Sequence, residues 1–167
     1  MNQKAMIREA LPDDRETLAK IIKTSFEGVA RRFSLTPKNC PKHPSNYTPA
    51  WVETDFSRGV RYFMLHVDAG PVGCVGLEQP NADVCYLERL SVLPETRSRG
   101  FGKTLVRHAL EWAAAKGAAA VSIGIIAEQT ELGQWYNQLG FKETKTISVP
   151  HLPFNVCLME FKLGERS

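Results

Sequence analysis

Apolar residues recur along the first third of the chain at spacings of three and four, which is the period of an amphipathic helix. The residues on that face are Leu18, Ile21, Ile22 and Phe26. Asp13 or Asp14 can cap the helix that they predict. A second short helix is predicted over residues 27–33, and another over 51–56, where Thr48 and Pro49 form the N-cap and the first helical position.

From residue 60 onward the pattern changes to the alternating and continuous apolar runs of strands. Together with a short strand over 5–9, the predicted strands are 62–67, 72–77, 84–93, 121–126, 141–149 and 154–163. Helices are predicted between them over 100–116 and 128–139, and each ends at a glycine, Gly117 or Gly140. A strand meander that gives way to strand–helix–strand predicts an α/β (α+β) fold, with a mixed sheet and helices on both faces. No linker or repeat divides the sequence, so residues 1–167 are predicted to form one domain.

Composition narrows the class of protein. Hydrophobic residues make up 43% of the chain and charged residues 23%, as in ordinary soluble globular proteins. The net charge of +3 is spread along the sequence, whereas a nucleic-acid partner usually needs a basic stripe, so none is expected. No apolar run approaches the roughly 18 residues of a membrane span, and no secretion signal is recognisable at the start. We therefore expect a cytoplasmic protein without a membrane partner, either a monomer or a homodimer.

The cysteines and histidines offer little chemistry of their own. The four cysteines, which are Cys40, Cys74, Cys85 and Cys157, are far apart in sequence and predict buried reduced thiols. Cys40 and His43 have the spacing of half a metal site, but no second pair follows, so no metal is expected. Residues 36–49 hold four of the ten prolines and predict a long loop, a common place for functional residues.

The most informative segment is Arg97-Ser98-Arg99-Gly100-Phe101-Gly102-Lys103-Thr104, which joins a predicted strand to a helix. Backbone N–H groups at a helix start bind anions, and the nearby Arg and Lys side chains add positive charge. A dinucleotide-binding fingerprint would need glycine where Leu105 stands, and an ATP or GTP phosphate loop would need glycine where Arg97 stands. Two interpretations remain, which are another type of anion site and a tight turn that merely requires glycine.

Two motifs in register resemble one known family. Arg97-x-x-Gly100-x-Gly102 matches the motif Gln/Arg-x-x-Gly-x-Gly/Ala of the GCN5-related N-acetyltransferase (GNAT) superfamily. Residues 134–141 resemble the Leu-Tyr-x-x-x-Gly-Phe signature of that superfamily, with Tyr136 as its tyrosine. The resemblance is specific over about residues 84–143, and the order of elements extends it over nearly the whole chain. It implies a mostly antiparallel central sheet of six to seven strands. It also implies an acyl-CoA-dependent N-acyltransferase that passes an acetyl group directly from acetyl-CoA to a primary amine of a small molecule or peptide.

The resemblance further implies where acetyl-CoA, the acyl-donor substrate, would lie. Its pantetheine arm would run between strands 84–93 and 121–126, and its pyrophosphate would take the N–H groups of residues 98–103. Gln129 stands where relatives often carry asparagine, and its amide could make a similar contact. The implied donor-binding residues are Leu90, Ser91, Val92, Arg97, Ser98, Arg99, Gly100, Phe101, Gly102, Lys103, Thr104, Gln129 and Tyr136.

By the same resemblance, Tyr136 is the general acid on the leaving thiolate, since a phenol with an ordinary pKa near 10 stays protonated at neutral pH. Glu88 is the candidate general base, because strand alternation predicts it on the face of Leu90 and Val92. A bulge would change that face, and some relatives carry their glutamate two residues earlier, where Tyr86 stands here. A solvated or salt-bridged Glu88 therefore stays an open alternative.

Two further expectations concern the acceptor and the class of function. The acceptor site is expected to form from the early helices, the loop 36–49, Trp51 and the turn 151–154, as a partly apolar pocket. A catalytically idle domain that senses acyl-CoA is the alternative function. Tyr136 favours the enzyme, because a sensor needs no acid beside the sulfur.

Overall fold

The computed structural model describes residues 4–164. The strands are β1 (Met6–Glu9), β2 (Arg61–Val67), β3 (Gly70–Glu78), β4 (Val84–Val92), β5 (Ala120–Ile126), β6 (Lys142–Ser148) and β7 (Asn155–Lys162). The α-helices are α1 (Arg15–Arg32), α2 (Pro49–Ser57), α3 (Phe101–Ala115) and α4 (Thr130–Gln138). The strands form one seven-stranded sheet in the order β1-β2-β3-β4-β5-β7-β6, antiparallel except between β4 and β5. This confirms the predicted mixed, mostly antiparallel sheet.

Helix α1 is longer than the sequence pattern suggested. The prediction of a separate helix over 27–33 was wrong, because α1 runs without a break from Arg15 to Arg32. No proline interrupts its hydrogen bonds, and Gly28 sits where even a β-carbon would be 3.9 Å from its nearest neighbour. The helix ends just before Ser34, whose φ of 53° lies in the left-handed region and turns the chain away.

The helices cover both faces of the sheet, as predicted. Helices α1 and α2 pack on one face, against Tyr62 and Met64 of β2 and Cys74 of β3. Helices α3 and α4 pack on the other, where Leu105 and Tyr136 lie in one cluster with alternate residues of the same strands. Because successive strand residues point to opposite faces, one strand supplies both layers. The two layers bury the apolar stripes of all four helices.

The four cysteines have free thiols and are buried, which confirms the prediction of core thiols. Within residues 4–164, no helix has the length and apolar character that crossing a membrane requires.

The sheet opens between β4 and β5. These parallel strands pair only over Val84–Tyr86 and Ala120–Ser122, and beyond those three residue pairs they diverge. On its other side β5 pairs with β7 along its whole length. One edge of the C-terminal half of β5 and one edge of the C-terminal half of β4 therefore face each other across a gap.

A bulge in β4 sets the face on which its residues lie. Ser91 pairs with Cys74 and Glu88 with Gly76, so Arg89 and Leu90 together oppose one residue of β3, and Arg89 has a φ of 52°. Glu88 consequently lies on the face of the sheet that carries α1 and α2, whereas Leu90 and Val92 pack into the cluster under α3. The expectation that strand alternation puts Glu88 on their face was wrong, because the extra residue reverses the alternation.

Candidate functional site

A cleft of about 840 Å³ occupies the gap between β4 and β5. Its walls come from both strands, from the start of α3, from α4 and from α1. Eleven of the fourteen catalytic and donor-binding candidates from the sequence line it: Glu88, Leu90, Val92, Arg97, Ser98, Gly100, Phe101, Gly102, Lys103, Gln129 and Tyr136. The three others are placed differently. Ser91 is buried and donates its hydroxyl to the carbonyl of Arg89, Thr104 donates its hydroxyl to the carbonyl of Gly100, and Arg99 is exposed and outside the lining.

The start of α3 presents backbone N–H groups at one end of the cleft. The first helical hydrogen bond runs from the amide of Thr104 to the carbonyl of Gly100, at 3.0 Å. The amides of Phe101, Gly102 and Lys103 therefore have no carbonyl partner within the helix, and they lie at its positive end. The preceding turn holds Ser98 and Gly100 at φ values of 66° and 81°. This geometry is that of an anion site.

Glycine is needed at positions 100 and 102 for different physical reasons. A β-carbon on Gly100 would meet nothing within 4 Å, so Gly100 is required by its left-handed φ rather than by lack of space. A β-carbon on Gly102 would lie 3.3 Å from Cζ2 of Trp135, so Gly102 lets α3 approach α4 closely. The approach brings the helix end and the aromatic residues of α4 to the same cleft.

Arg97 braces this turn. Its Nε donates to the carbonyl of Val92 at 3.0 Å, and its Nη2 donates to the carbonyl of Ser25 in α1 at 2.7 Å. The guanidinium therefore ties the end of β4 to α1 while it contributes positive charge to the cleft.

Tyr136 projects from α4 into the cleft. Its ring is only 4% exposed and packs edge-on against Trp135 and Phe141, with ring centroids 4.9 and 5.3 Å away. Burial raises the pKa of its hydroxyl above the ordinary value, so Tyr136 is a phenol at neutral pH. A protonated hydroxyl that lines a ligand-sized cleft is suited to donating a proton or a hydrogen bond there.

Glu88 lines the cleft from the face of β4 that carries α1 and α2, opposite to the face of Leu90 and Val92. Burial raises the pKa of its carboxyl, and the adjacent Arg89 guanidinium, which donates to Oε2, opposes that rise. The result is a partly buried carboxylate with a pKa above its ordinary value, a property of groups that accept protons in enzymes.

Arg89 belongs to a buried polar cluster behind Glu88. Its Nε donates to the hydroxyl of Tyr62 at 2.8 Å, and the Tyr62 hydroxyl donates to Oδ2 of Asp55 at 2.6 Å. The Tyr47 hydroxyl also donates to that carboxylate oxygen, and Nη2 of Arg58 donates to Oδ1 at 2.8 Å. The cluster holds the left-handed Arg89 in place and thereby fixes the cation beside Glu88.

The cleft is also lined by residues that the sequence pattern did not name individually as catalytic or donor-binding. His43 and Pro44 of the loop, Phe154 before β7, Trp135 of α4 and Arg89 all line the cleft. The loop 36–49 and the turn 151–154, which the sequence analysis expected at the acceptor site, contribute His43, Pro44 and Phe154 to this lining. Trp135 could have been found from its place beside Tyr136 in the signature. Arg89 had no such signal, because its role depends on the bulge.

His43 is positioned by its own loop. Its Nδ1 lies 2.7 Å from the Ser45 hydroxyl and 3.2 Å from the Ser45 backbone nitrogen, and the ring packs edge-on against Phe26 at 5.8 Å. Burial lowers the pKa of His43, which keeps the ring neutral. Nowhere in residues 4–164 do three or more His, Cys, Asp or Glu side chains gather in an arrangement that could hold a metal ion.

Comparison with known proteins identifies the class. The sequence profile of the acetyltransferase (GNAT) family matches residues 26–141, and the chain belongs to this family. An uncharacterized N-acetyltransferase of Methanocaldococcus jannaschii is 27% identical over 92 residues, which are 52% of this chain and 41% of that protein. The chain thus spans less than half the length of this curated relative.

Solved structures share the fold. The PaiA N-acetyltransferase of Thermoplasma acidophilum, solved in complex with coenzyme A, superposes with a TM-score of 0.79 at 19% identity, over 95% of this chain and 99% of its own. The ribosomal-protein-S18-alanine N-acetyltransferase of Escherichia coli gives a TM-score of 0.78 at 13% identity, over 98% and 97%. A putative acetyltransferase of Salmonella typhimurium, solved with acetyl-CoA, gives 0.72 at 17% identity, over 98% and 96%. The family resemblance and the predicted fold are confirmed.

Proposed function

We propose that this protein transfers an acetyl group from acetyl-CoA to a primary amine. The observation that carries the proposal is the single cleft between β4 and β5, which the start of α3, the Tyr136 hydroxyl and the Glu88 carboxylate all line. Anion recognition, a proton donor and a proton acceptor then share one continuous space. Membership of the acetyltransferase family supports the reaction class, and the two neighbours solved with coenzyme A or acetyl-CoA support the donor.

The donor would lie along the gap. Its pyrophosphate fits the amides of 101–103 and the charges of Arg97 and Lys103, because an anion is stabilised at the positive end of a helix. Its pantetheine arm carries amide groups, which can pair with the open backbone edge of β4 at Leu90 and Val92 as an added strand would. Gln129, at the start of α4, lines the same stretch of the cleft.

The reaction forms one bond and breaks one bond. The amine nitrogen, once deprotonated, attacks the thioester carbon. The nitrogen of the resulting tetrahedral species gives its extra proton to solvent, and the carbon–sulfur bond then breaks. The coenzyme A thiolate leaves with the electron pair and takes the proton of Tyr136, whose hydroxyl recovers a proton from solvent. A phenol kept protonated by burial is suited to this step.

Glu88 is the better candidate for the base. Its raised pKa brings the carboxylate closer to the pH at which an ammonium group must lose a proton. His43 lines the same cleft, but burial lowers the pKa of its imidazole, and its Nδ1 is engaged with the Ser45 hydroxyl and backbone N–H. Glu88 can act directly or through a water molecule.

The test is release of free thiol from acetyl-CoA in the presence of primary amines, with wild type, Tyr136→Phe and Glu88→Gln. Loss of the acid in Tyr136→Phe is expected to lower kcat by about a hundredfold or more, because a general acid contributes roughly 10²–10⁴-fold. Its affinity for acetyl-CoA, followed by thermal stabilisation, is expected to stay close to that of the wild type. Unchanged turnover in Tyr136→Phe would remove its assigned role. Binding of acetyl-CoA without thiol release from any amine would favour a sensor instead.

A further inference from the structure

A second cavity adjoins the cleft. It has a volume of about 350 Å³, near the lower limit of the roughly 300–1,000 Å³ typical of small-ligand pockets. Three residues, His43, Pro44 and Phe154, line both spaces, so the second cavity continues the first. The remaining lining residues are Cys40, Pro41, Lys42, His151 and Leu152.

Apolar groups dominate this second cavity. Leu152 and Phe154 pack with Cys40 in one apolar cluster, and Pro41 and Pro44 complete the apolar surface. Burial raises the pKa of the Cys40 thiol, which is therefore neutral. A space of this kind favours a compact apolar group, because burying apolar surface is favourable and a polar group would find few partners.

The charges of both spaces limit the acceptor further. Among the described residues that line the cleft and the second cavity, Glu88 is the only acid. The second cavity instead contains the cation Lys42 and two histidines, of which His43 is neutral. The cation Arg89 is already paired with Glu88 and Asp55. Glu88, whose Oε2 accepts from Arg89, is therefore the one acidic group in these linings that an acceptor ammonium can approach, whereas a second ammonium at the second cavity would meet Lys42, a like charge.

We propose that the second cavity holds the apolar part of the acceptor, and that the acceptor is a primary amine with one positive charge and a compact apolar group, of the arylalkylamine class. The inference rests on the proposed acetyl transfer and adds to it the class of amine. Polyamines and aminoglycosides, which carry several ammonium groups, do not fit this distribution of charge.

The test measures binding separately from turnover. The protein saturated with coenzyme A is titrated by calorimetry with 2-phenylethylamine and with spermidine. Phenylethylamine is expected to bind about tenfold more tightly or better, because an unmatched like charge costs at least the roughly 1.4 kcal/mol of a tenfold change. Equal or tighter binding of spermidine would overturn the inference, and so would absence of binding by both amines.

Two variants localise the effect. Leu152→Asp places a carboxylate in the second cavity and is expected to weaken phenylethylamine binding about tenfold or more, whereas Leu152→Met, which conserves volume and apolarity, is expected to keep it. Lys42→Glu changes an exposed residue and is expected to improve spermidine binding. Stabilisation by coenzyme A, measured for each variant, shows that the fold and the donor site are intact. Phenylethylamine affinity that is unchanged in Leu152→Asp would contradict the assignment of the cavity.

The two proposals fail in different ways. Selective binding of phenylethylamine without thiol release would reject acetyl transfer and leave the acceptor class standing. Thiol release with spermidine and none with phenylethylamine would support acetyl transfer and reject the acceptor class.

Discussion

Replacing Asp55 by asparagine tests whether the polar cluster behind Glu88 stabilises the fold. Asp55 is 5% exposed, and its carboxylate receives hydrogen bonds from Tyr47, Tyr62 and Arg58. Nη2 of Arg89 lies 3.5 Å from its Oδ2. Asparagine has nearly the same shape but carries no charge, so Asp55→Asn leaves the cation of Arg89 with less compensation.

The size of the effect follows from the burial of the partners. Breaking a buried ion pair by removing one partner costs about 3–5 kcal/mol. The side chain of Arg58 is 47% exposed and is partly solvated without Asp55, so the lower end, about 3 kcal/mol, applies. Since 1 kcal/mol changes Tm by roughly 2–4 °C in a protein of this size, the variant should melt about 6–12 °C lower.

The pH dependence provides a second measure. Burial alone raises the pKa of Asp55, but the hydrogen bonds from the two tyrosines and Arg58 outweigh it, so its pKa in the folded state is lowered. The stabilisation is therefore complete above the unfolded pKa of about 3.9 and is lost as pH falls through the lower folded value. The difference in free energy of unfolding between wild type and Asp55→Asn should be constant near neutral pH and should shrink in acid.

Urea unfolding at several pH values measures this difference. Asp68→Asn, at an exposed position in the turn between β2 and β3, is the matched control and should change the free energy of unfolding by less than about 0.5 kcal/mol. The reasoning is refuted if Asp55→Asn is as stable as the control, or if the difference grows as the pH falls.

Two further predictions concern the end of α4 and the pH profile. Gly140→Ala should destabilise the protein by more than Gly59→Ala in urea unfolding. Both glycines have a left-handed φ, but only the β-carbon at 140 would lie 2.7 Å from the Phe161 ring. Equal losses in the free energy of unfolding would show that the ring moves aside. Arg89→Met should shift the acid limb of kcat/KM to higher pH, because it removes the cation that lowers the pKa of Glu88. Arg89→Lys keeps the charge and should retain more of the wild-type profile. An acid limb that does not move in Arg89→Met would show that Glu88 is not the base.

The start of α3 and the ends of α3 and α4 could be predicted from the local sequence. Gly117 and Gly140 follow α3 and α4 with φ values of 82° and 107°, the conformation that makes glycine a helix terminator. The turn before α3 likewise follows from local sequence, because Gly100 supplies a left-handed residue where the strand passes into the helix. These features were predictable because each depends on a few neighbouring residues.

The face of Glu88 could not be read from the sequence. It depends on a left-handed Arg89, and nothing in the residues around position 89 favours that conformation, which is uncommon outside glycine. Partners distant in sequence hold it, namely Tyr62 of β2 and Asp55 of α2. The position of Trp51, which was expected at the acceptor site, also depends on partners that its local sequence does not reveal. Its ring packs edge-on against Tyr47 at 5.3 Å, and it is not among the residues that line the cleft.

The divergence of β4 and β5 also has a mechanical consequence. The strands β1–β4 form one half of the sheet and β5, β7 and β6 the other. Within residues 4–164, strand pairing between the halves is confined to three residue pairs, with one further backbone hydrogen bond from Ala119 to Ala82. A ligand that bonds to the open edge of β4 and fills the gap would couple the halves where the chain itself does not. The stiffness of the sheet then depends on whether a ligand occupies the gap. Slower amide exchange at 90–92 and 123–126 on ligand binding would report this coupling between the halves.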